Sequence, residues 1–112
     1  MLESQLKPNT PEFKANVAAM ELLVEELHAR LKRAQLGGGE RAIARHEARG
    51  KLLPRKRIEA LLDPGTAFLE IGALAGEGLY DGAAPSGGVV AGIGVVEGKR
   101  VLVVANDATV KG

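Results

Sequence analysis

The hydrophobic pattern of the first third of the chain predicts one long amphipathic helix. Between Phe13 and Ala34, apolar side chains recur every three or four positions and form a single stripe. Thr10 can cap the N-terminus of this helix, and Pro11 suits its first position. Glycines 37–39 should end the helix and leave a flexible joint.

The last quarter of the chain has the period of strands and predicts a β-hairpin. Glu97, Gly98 and Lys99 form the turn, and Gly98 can take the positive φ that a short turn needs. The second strand, Arg100 to Ala105, does not alternate, so we expect it to lie inside a sheet and to be covered on both faces. In the first strand, Val89, Ala91, Ile93 and Val95 lie on one face, and Val90, Gly92, Gly94 and Val96 lie on the other. The bare glycine positions most simply indicate close packing.

Between these parts, shorter patterns predict two further helices, a short strand and a long loop. Pro54 can open a helix that ends near Leu62, and Asp63-Pro64-Gly65 is a strong turn. Residues 67–71 alternate and should form a strand. The glycine-rich span Gly72–Gly88 predicts a loop that is either functional or poorly ordered.

Basic side chains are concentrated between residues 40 and 51. Helical spacing places Arg41, Arg45 and Arg49 on one face, with Lys51 just beyond Gly50. This can be a solvated face paired with neighbouring glutamates. It can also be a clamp for a polyphosphate such as that of coenzyme A, because guanidinium groups hold phosphate oxygens bidentately and lysine adds a point charge. His46 is not assigned as a base.

Composition narrows the function classes. The chain has 112 residues, which allows at most one small domain. Its net charge of +1 gives no general attraction to nucleic acid, and an aromatic content of 3% argues against a single-strand binder. Without cysteine it has no thiolate catalysis and no disulfides. No membrane-spanning run and no signal or transit peptide is visible, so a bacterial cytoplasmic location is expected.

Four ordered motifs resemble the beginning of the carboxyltransferase (beta) subunit of biotin-dependent acyl-CoA carboxylases, and within that family the methylcrotonoyl type. They are Arg49–Leu52, Pro54–Ile58, Leu62–Gly65 and the tail Asn106–Gly112. The tail is similar to the methylcrotonoyl type more than to the propionyl type, which tends to carry aromatic residues there.

The resemblance implies an α/β fold, the N-terminal portion of a crotonase-like domain, with residues 1–36 as a helix and residues 40–112 as the start of the carboxyltransferase domain. It implies transfer of a carboxyl group from carboxybiotin to 3-methylcrotonoyl-CoA, a step of leucine degradation. Biotin would be carried by a biotin carboxylase and carrier subunit, and the complete subunit would form a homo-oligomer. No catalytic side chain and no metal ligand are expected in this part, since backbone amides stabilise the enolate oxygen.

By position, Arg49 and Lys51 are candidates for contacts with the coenzyme A phosphates, and Lys111 and Gly112 for the loop bordering the thioester. The subunits of this family are several hundred residues long, so we expect this chain to be a fragment that is inactive alone. The alternatives are propionyl-CoA or geranyl-CoA specificity, and a non-catalytic module in which the long helix binds a partner. A nucleic-acid module using the three arginines is disfavoured by charge and aromatic content.

Overall fold

The computed structural model describes residues 3–110, which fold into two compact units divided between Arg30 and Leu31. The helices of the described chain are α1 (Pro11–Gln35), α2 (Glu40–Glu47) and α3 (Pro54–Leu61). The strands are β1 (Leu69–Ile71), β2 (Val89–Val96) and β3 (Lys99–Asn106).

Helix α1 begins where its sequence predicts. The Thr10 hydroxyl accepts a hydrogen bond from the Phe13 N–H at 3.2 Å, which satisfies one of the free amides of the first turn. No residue of α1 is buried, and Met20 and Leu23 of the apolar stripe are each about 60% exposed. Most of the stripe is therefore exposed, and Phe13, Leu31 and Ala34 are half-buried.

The second unit is built on an antiparallel sheet with the order β1-β2-β3. The hairpin turn is confirmed, because Glu97 and Gly98 both have positive φ (49° and 71°), as a two-residue turn between twisted strands requires. The register pairs Gly94 with Val101 and Gly92 with Val103, so these residues share one face. We call this the inner face.

The inner face packs against α3 and the segment that follows it. A Cβ on Gly94 would overlap the Leu62 side chain, and a Cβ on Gly92 would overlap the Phe68 ring. The glycines thus allow close packing, as predicted. Arg55 of α3 also reaches Glu70 of β1, with two hydrogen bonds of 2.6 and 2.8 Å between guanidinium and carboxylate.

The opposite side of the sheet, which we call the outer face, does not fit the prediction for the second strand. Its apolar residues include Leu69, Ile71, Ala91, Ile93, Leu102 and Val104. Leu102 and Val104 are 67% and 62% exposed, and β3 is an edge strand of the described sheet. The expectation of a strand inside the sheet and covered on both faces was wrong for these residues. An unbroken apolar run indicates that a strand is suited to burial on both faces, but it does not say which segment covers each face.

The loop between β1 and β2 has more structure than its composition suggests. It contains two short turns, Leu79–Gly82 and Pro85–Gly88. Ser86 is buried, and its hydroxyl donates to the Ala73 carbonyl at 2.8 Å. Tyr80 and Asp81, within the first of these segments, both have positive φ.

The side chain of Asp63 links the end of α3 to the hairpin. Its two carboxylate oxygens accept the N–H groups of Glu97 and Gly98, each at 2.8 Å, and its own N–H donates to the Val95 carbonyl at 2.9 Å. From the sequence alone Asp63 is recognisable only as a turn residue, since its hairpin partners lie more than 30 positions away.

Candidate functional site

Arg49 lies in a tight turn just after α2, and Lys51 directly follows that turn; we call residues 48–52 the basic turn. The Arg49 N–H donates to the His46 carbonyl at 3.2 Å, and the Gly50 N–H donates to the Glu47 carbonyl at 2.8 Å. Gly50 takes a φ of +71°, which favours glycine. The turn therefore presents Arg49 and Lys51 from neighbouring positions of a closed loop.

His46 closes the basic turn from the side. One ring nitrogen, Nε2, lies 3.1 Å from the Leu52 carbonyl oxygen. A carbonyl only accepts, so this nitrogen must carry the proton and donate it. His46 thus has a positioning contact in the described chain.

The charges of the basic turn are available to a ligand. Arg49 and Lys51 are exposed, and neither side chain pairs with an acid among residues 3–110. The prediction that Arg41, Arg45 and Arg49 share one helical face was wrong, because α2 ends at Glu47 and Arg49 lies beyond it. Guanidinium and ammonium groups both bind phosphate oxygens, the guanidinium with two parallel hydrogen bonds.

The second part of the site is the polar loop that follows β3, residues 106–110. Asp107 Oδ1 accepts hydrogen bonds from the Thr109 N–H at 2.9 Å and from the Thr109 hydroxyl at 2.6 Å. The Asp107 N–H donates to the Gly88 carbonyl at 2.8 Å, and Val110 is buried. The loop is thereby held to the start of β2. An Asp-x-Thr pattern after a strand is the signal by which this turn could have been found from sequence.

The glycine segment after α1 packs against this loop, so the prediction of a flexible joint there was wrong. The Gly38 N–H donates to the Thr109 hydroxyl oxygen at 3.0 Å. A Cβ on Gly37 would lie 2.5 Å from the Asp107 carboxylate, and one on Gly38 would overlap the Thr109 backbone carbonyl. The glycines are required for contact, and the segment is tied down in the second unit.

A cavity of about 190 Å³ lies where these parts meet. It is lined by Ile43 of α2, Pro54 and Lys56 at the start of α3, Asp107 and Thr109, together with residues 35–37. Its walls combine apolar side chains with two cationic residues, Arg55 and Lys56, and one carboxylate, that of Asp107. The loop after β3 and the helices around the basic turn therefore belong to one packed region.

Two of the predicted site residues, Lys111 and Gly112, lie outside the described residues. Over residues 3–110 the acidic and histidine side chains form no group of three able to hold a metal ion. None of the helices in that range is long and apolar enough to cross a membrane.

Comparison with known proteins identifies the family. Residues 45–112 match the family model "Carboxyl transferase domain". The methylcrotonoyl-CoA carboxylase beta chain (mitochondrial) of Arabidopsis thaliana is 49% identical over 93% of this chain, and the biotin-dependent 3-methylcrotonyl-coenzyme A carboxylase beta1 subunit of Mycobacterium tuberculosis is 56% identical over 80% of it. The beta subunit of Pseudomonas aeruginosa geranyl-CoA carboxylase superimposes over 99% of the chain with a TM-score of 0.73 and 38% identity.

The fold and the matched segments define a carboxyltransferase domain with a crotonase-like α/β architecture, as the motifs implied. This chain belongs to the carboxyltransferase family of biotin-dependent acyl-CoA carboxylases, with beta chains of methylcrotonoyl-CoA carboxylase among its relatives at about 50% identity. It spans 18% and 17% of the length of those two relatives and 21% of the geranyl-CoA carboxylase subunit.

Proposed function

We propose that this chain forms part of the acyl-CoA side of a carboxyltransferase that transfers a carboxyl group to 3-methylcrotonoyl-CoA in leucine degradation. The observation that supports this substrate is the identity of 49% and 56% to methylcrotonoyl-CoA carboxylase beta chains, against 38% to the geranyl-CoA carboxylase subunit. The domain division of the sequence analysis, residues 1–36 and 40–112, is part of the proposal.

Arg49 and Lys51 are proposed to contact the coenzyme A phosphates. The fit to a polyphosphate is supported by their exposure, by the lack of an acid partner among the described side chains and by the closed turn that carries both. Charge-assisted contacts to phosphate are about twice as strong as neutral hydrogen bonds. These residues would bind and orient the substrate and would not take part in bond making.

Biotin, carried by a partner subunit, supplies the carboxyl group when it is bound. No residue of the described chain is assigned to hold it. The partner would be the biotin carboxylase and carrier subunit, and the complete subunit would form a homo-oligomer in the bacterial cytoplasm. We propose that this chain alone is inactive, because its outer sheet face is uncovered in the described fold.

The test of the phosphate role is the Arg49→Ala, Lys51→Ala double variant in a complete carboxyltransferase subunit that carries this segment. We expect the KM for acyl-CoA to rise about tenfold or more, since losing about 1.4 kcal/mol of binding free energy corresponds to tenfold. The kcat should change little, because the lost contacts are equal in ground state and transition state. Steady-state kinetics with the biotin-carrying partner measure both constants.

A matched control removes the same charge elsewhere. Lys99→Ala with Arg100→Ala also deletes two exposed cations, at the hairpin end of β3. It should leave the KM within about twofold, because surface charges at a distance are screened by salt. If the two double variants have the same KM, the phosphate role of the basic turn is wrong.

Geranyl-CoA specificity is the second candidate, and the match of 99% of the chain to the geranyl-CoA carboxylase subunit favours it. The described residues contain the basic turn and the loop after β3, and none of them is assigned to the acyl chain. Comparison of kcat/KM for 3-methylcrotonoyl-CoA, geranyl-CoA and propionyl-CoA with the complete subunit decides between the substrates. A preference of tenfold or more for geranyl-CoA would refute the methylcrotonoyl assignment.

A further inference from the structure

The apolar stripe of α1 has the spacing of a coiled-coil seam. Its apolar residues recur at alternating intervals of four and three positions: Phe13, Val17, Met20, Val24, Leu27, Leu31 and Ala34. A strict repeat of this kind forms a narrow stripe, which suits a single partner helix better than it suits a broad apolar surface. We propose that the partner is α1 of a second copy of this chain, packed antiparallel to the first.

The middle of the seam is open to a partner. Val17, Met20, Val24 and Leu27 are between 38% and 59% exposed, and no residue of α1 is buried. A shallow groove on the same helix is lined by Val17, Met20 and Val24 together with the glutamates at positions 21 and 25. An exposed apolar surface beside charged side chains is typical of a protein contact.

The charges of α1 make the helix complementary to itself when the two copies run in opposite directions. Residues 11–26 carry four glutamates and one lysine, a net charge of −3, whereas residues 27–35 carry two arginines and one lysine, a net charge of +3 with His28 neutral. In an antiparallel pair the acidic part of each helix lies opposite the basic part of the other. A parallel pair would place like charges together, so the charge distribution favours the antiparallel arrangement.

The positions beside the seam select one register of the antiparallel pair. With Val24 opposite Leu27 of the second copy, Glu21 lies beside the second copy's His28, whose imidazole N–H can donate to the carboxylate. A shift by one heptad in one direction brings Glu21 beside its own counterpart, and a shift in the other direction brings Arg30 beside its own counterpart. Both shifts place like charges side by side, so the first register is preferred.

Disulfide trapping tests the pairing and its direction together. The chain has no cysteine, so Val24→Cys and Leu27→Cys each introduce a single thiol. When equal amounts of the two variants are mixed in a glutathione redox buffer, we expect the mixed disulfide to exceed both symmetric disulfides. The reason is that like positions of the two helices are offset by about 4.5 Å along the axis of the pair. Mass spectrometry of the intact dimers separates the three species.

The matched control is a mixture of Ala18→Cys and Ala29→Cys, since both positions are exposed on α1 and lie outside the seam. It should give disulfides only at a background level. A mixed Val24→Cys and Leu27→Cys disulfide that does not exceed this background would overturn the proposal. An excess of symmetric disulfides would overturn it as well, because a parallel pair joins like positions.

The same pair of cysteine variants is also tested in a complete subunit that carries this segment. We expect the mixed disulfide to form between two copies there too. Its absence would show that another part of the subunit covers the seam of α1, and the proposal of a second copy as partner would then be wrong.

Charge reversal tests the register. Glu21→Lys and His28→Glu, each made alone, place like or unpaired charges beside the seam and should raise the dimer Kd about threefold or more. The combination of both restores opposite charges and should recover the wild-type Kd. Sedimentation equilibrium measures the Kd with Leu102→Lys and Val104→Lys present in every variant, so that the outer face does not contribute. A combined variant no tighter than the single variants would overturn the register.

None of these measurements records carboxylation, so the α1 pair and the proposed function can fail separately. Absence of the mixed disulfide leaves the acyl-CoA role unchanged. A complete subunit that carboxylates none of the three acyl-CoAs overturns the proposed function and leaves the α1 pair standing.

Discussion

Replacement of Asp63 tests how α3 is joined to the hairpin. Each oxygen of this half-buried carboxylate accepts one N–H of the turn, at 2.8 Å. A hydrogen bond to a charged group contributes about 1.5–3 kcal/mol to stability, and partial exposure favours the low end of that range. Asp63→Asn keeps one oxygen as acceptor but turns an NH₂ group toward the other N–H. We expect it to lower the free energy of unfolding by about 1.5–2 kcal/mol, and Asp63→Ala, which loses both bonds, by about 3 kcal/mol.

Two assays on the 112-residue chain separate these outcomes. Urea unfolding gives the change in free energy. Amide exchange of Glu97 and Gly98 locates it, because about 1.4 kcal/mol corresponds to a tenfold faster exchange. One of the two amides should exchange faster in Asp63→Asn, and both should do so in Asp63→Ala.

Glu59→Gln is the control for removing a carboxylate charge near α3. Glu59 is 74% exposed at its side chain and pairs with Lys56 at 3.3 Å. Exposed pairs of this kind contribute about 0–1 kcal/mol, so this variant should unfold almost as wild type does. If Asp63→Asn and Asp63→Ala are no less stable than Glu59→Gln, and both turn amides keep their exchange rates, the proposed role of the Asp63 carboxylate is refuted.

Two further predictions concern the faces of the sheet. Gly94→Ala should lower the free energy of unfolding in urea by about 1–3 kcal/mol, because the added methyl group overlaps Leu62. Combining it with Leu62→Ala should recover part of that loss. Strict additivity of the two changes would contradict the packing described. Leu102→Lys with Val104→Lys should reduce concentration-dependent self-association of the 112-residue chain in sedimentation velocity, since both side chains are more than 60% exposed on an apolar face. The same association in wild type and variant would show that the outer face is not the contact surface.

Local rules accounted for the segments in which neighbours in sequence are also neighbours in space. The Thr10 cap, the proline that opens α3 and the Glu97-Gly98 turn depend on hydrogen bonds and dihedral angles within a few residues. The family resemblance of the motifs is confirmed by comparison over most of the chain.

Two predictions failed, one at a local turn and one where the outcome depended on a distant part of the chain. The periodicity of arginines extended α2 to Arg49, whereas the helix ends at Glu47 and a turn closed by His46 follows. Glycines 37–39 have the composition of a joint, but a hydrogen bond to Thr109, 71 positions away, holds Gly38 in place.

The sequence by itself determined the elements, the family and the residue types of the basic turn, because periodicity, caps, turns and motif order are local properties. Only the tertiary structure decided that Asp63 caps the hairpin, that Thr109 meets Gly38 and that the outer face of β3 is uncovered. These features arise from the pairing of segments far apart in the chain, and a pattern of side chains does not specify which distant atoms will satisfy their hydrogen bonds or cover their apolar surface.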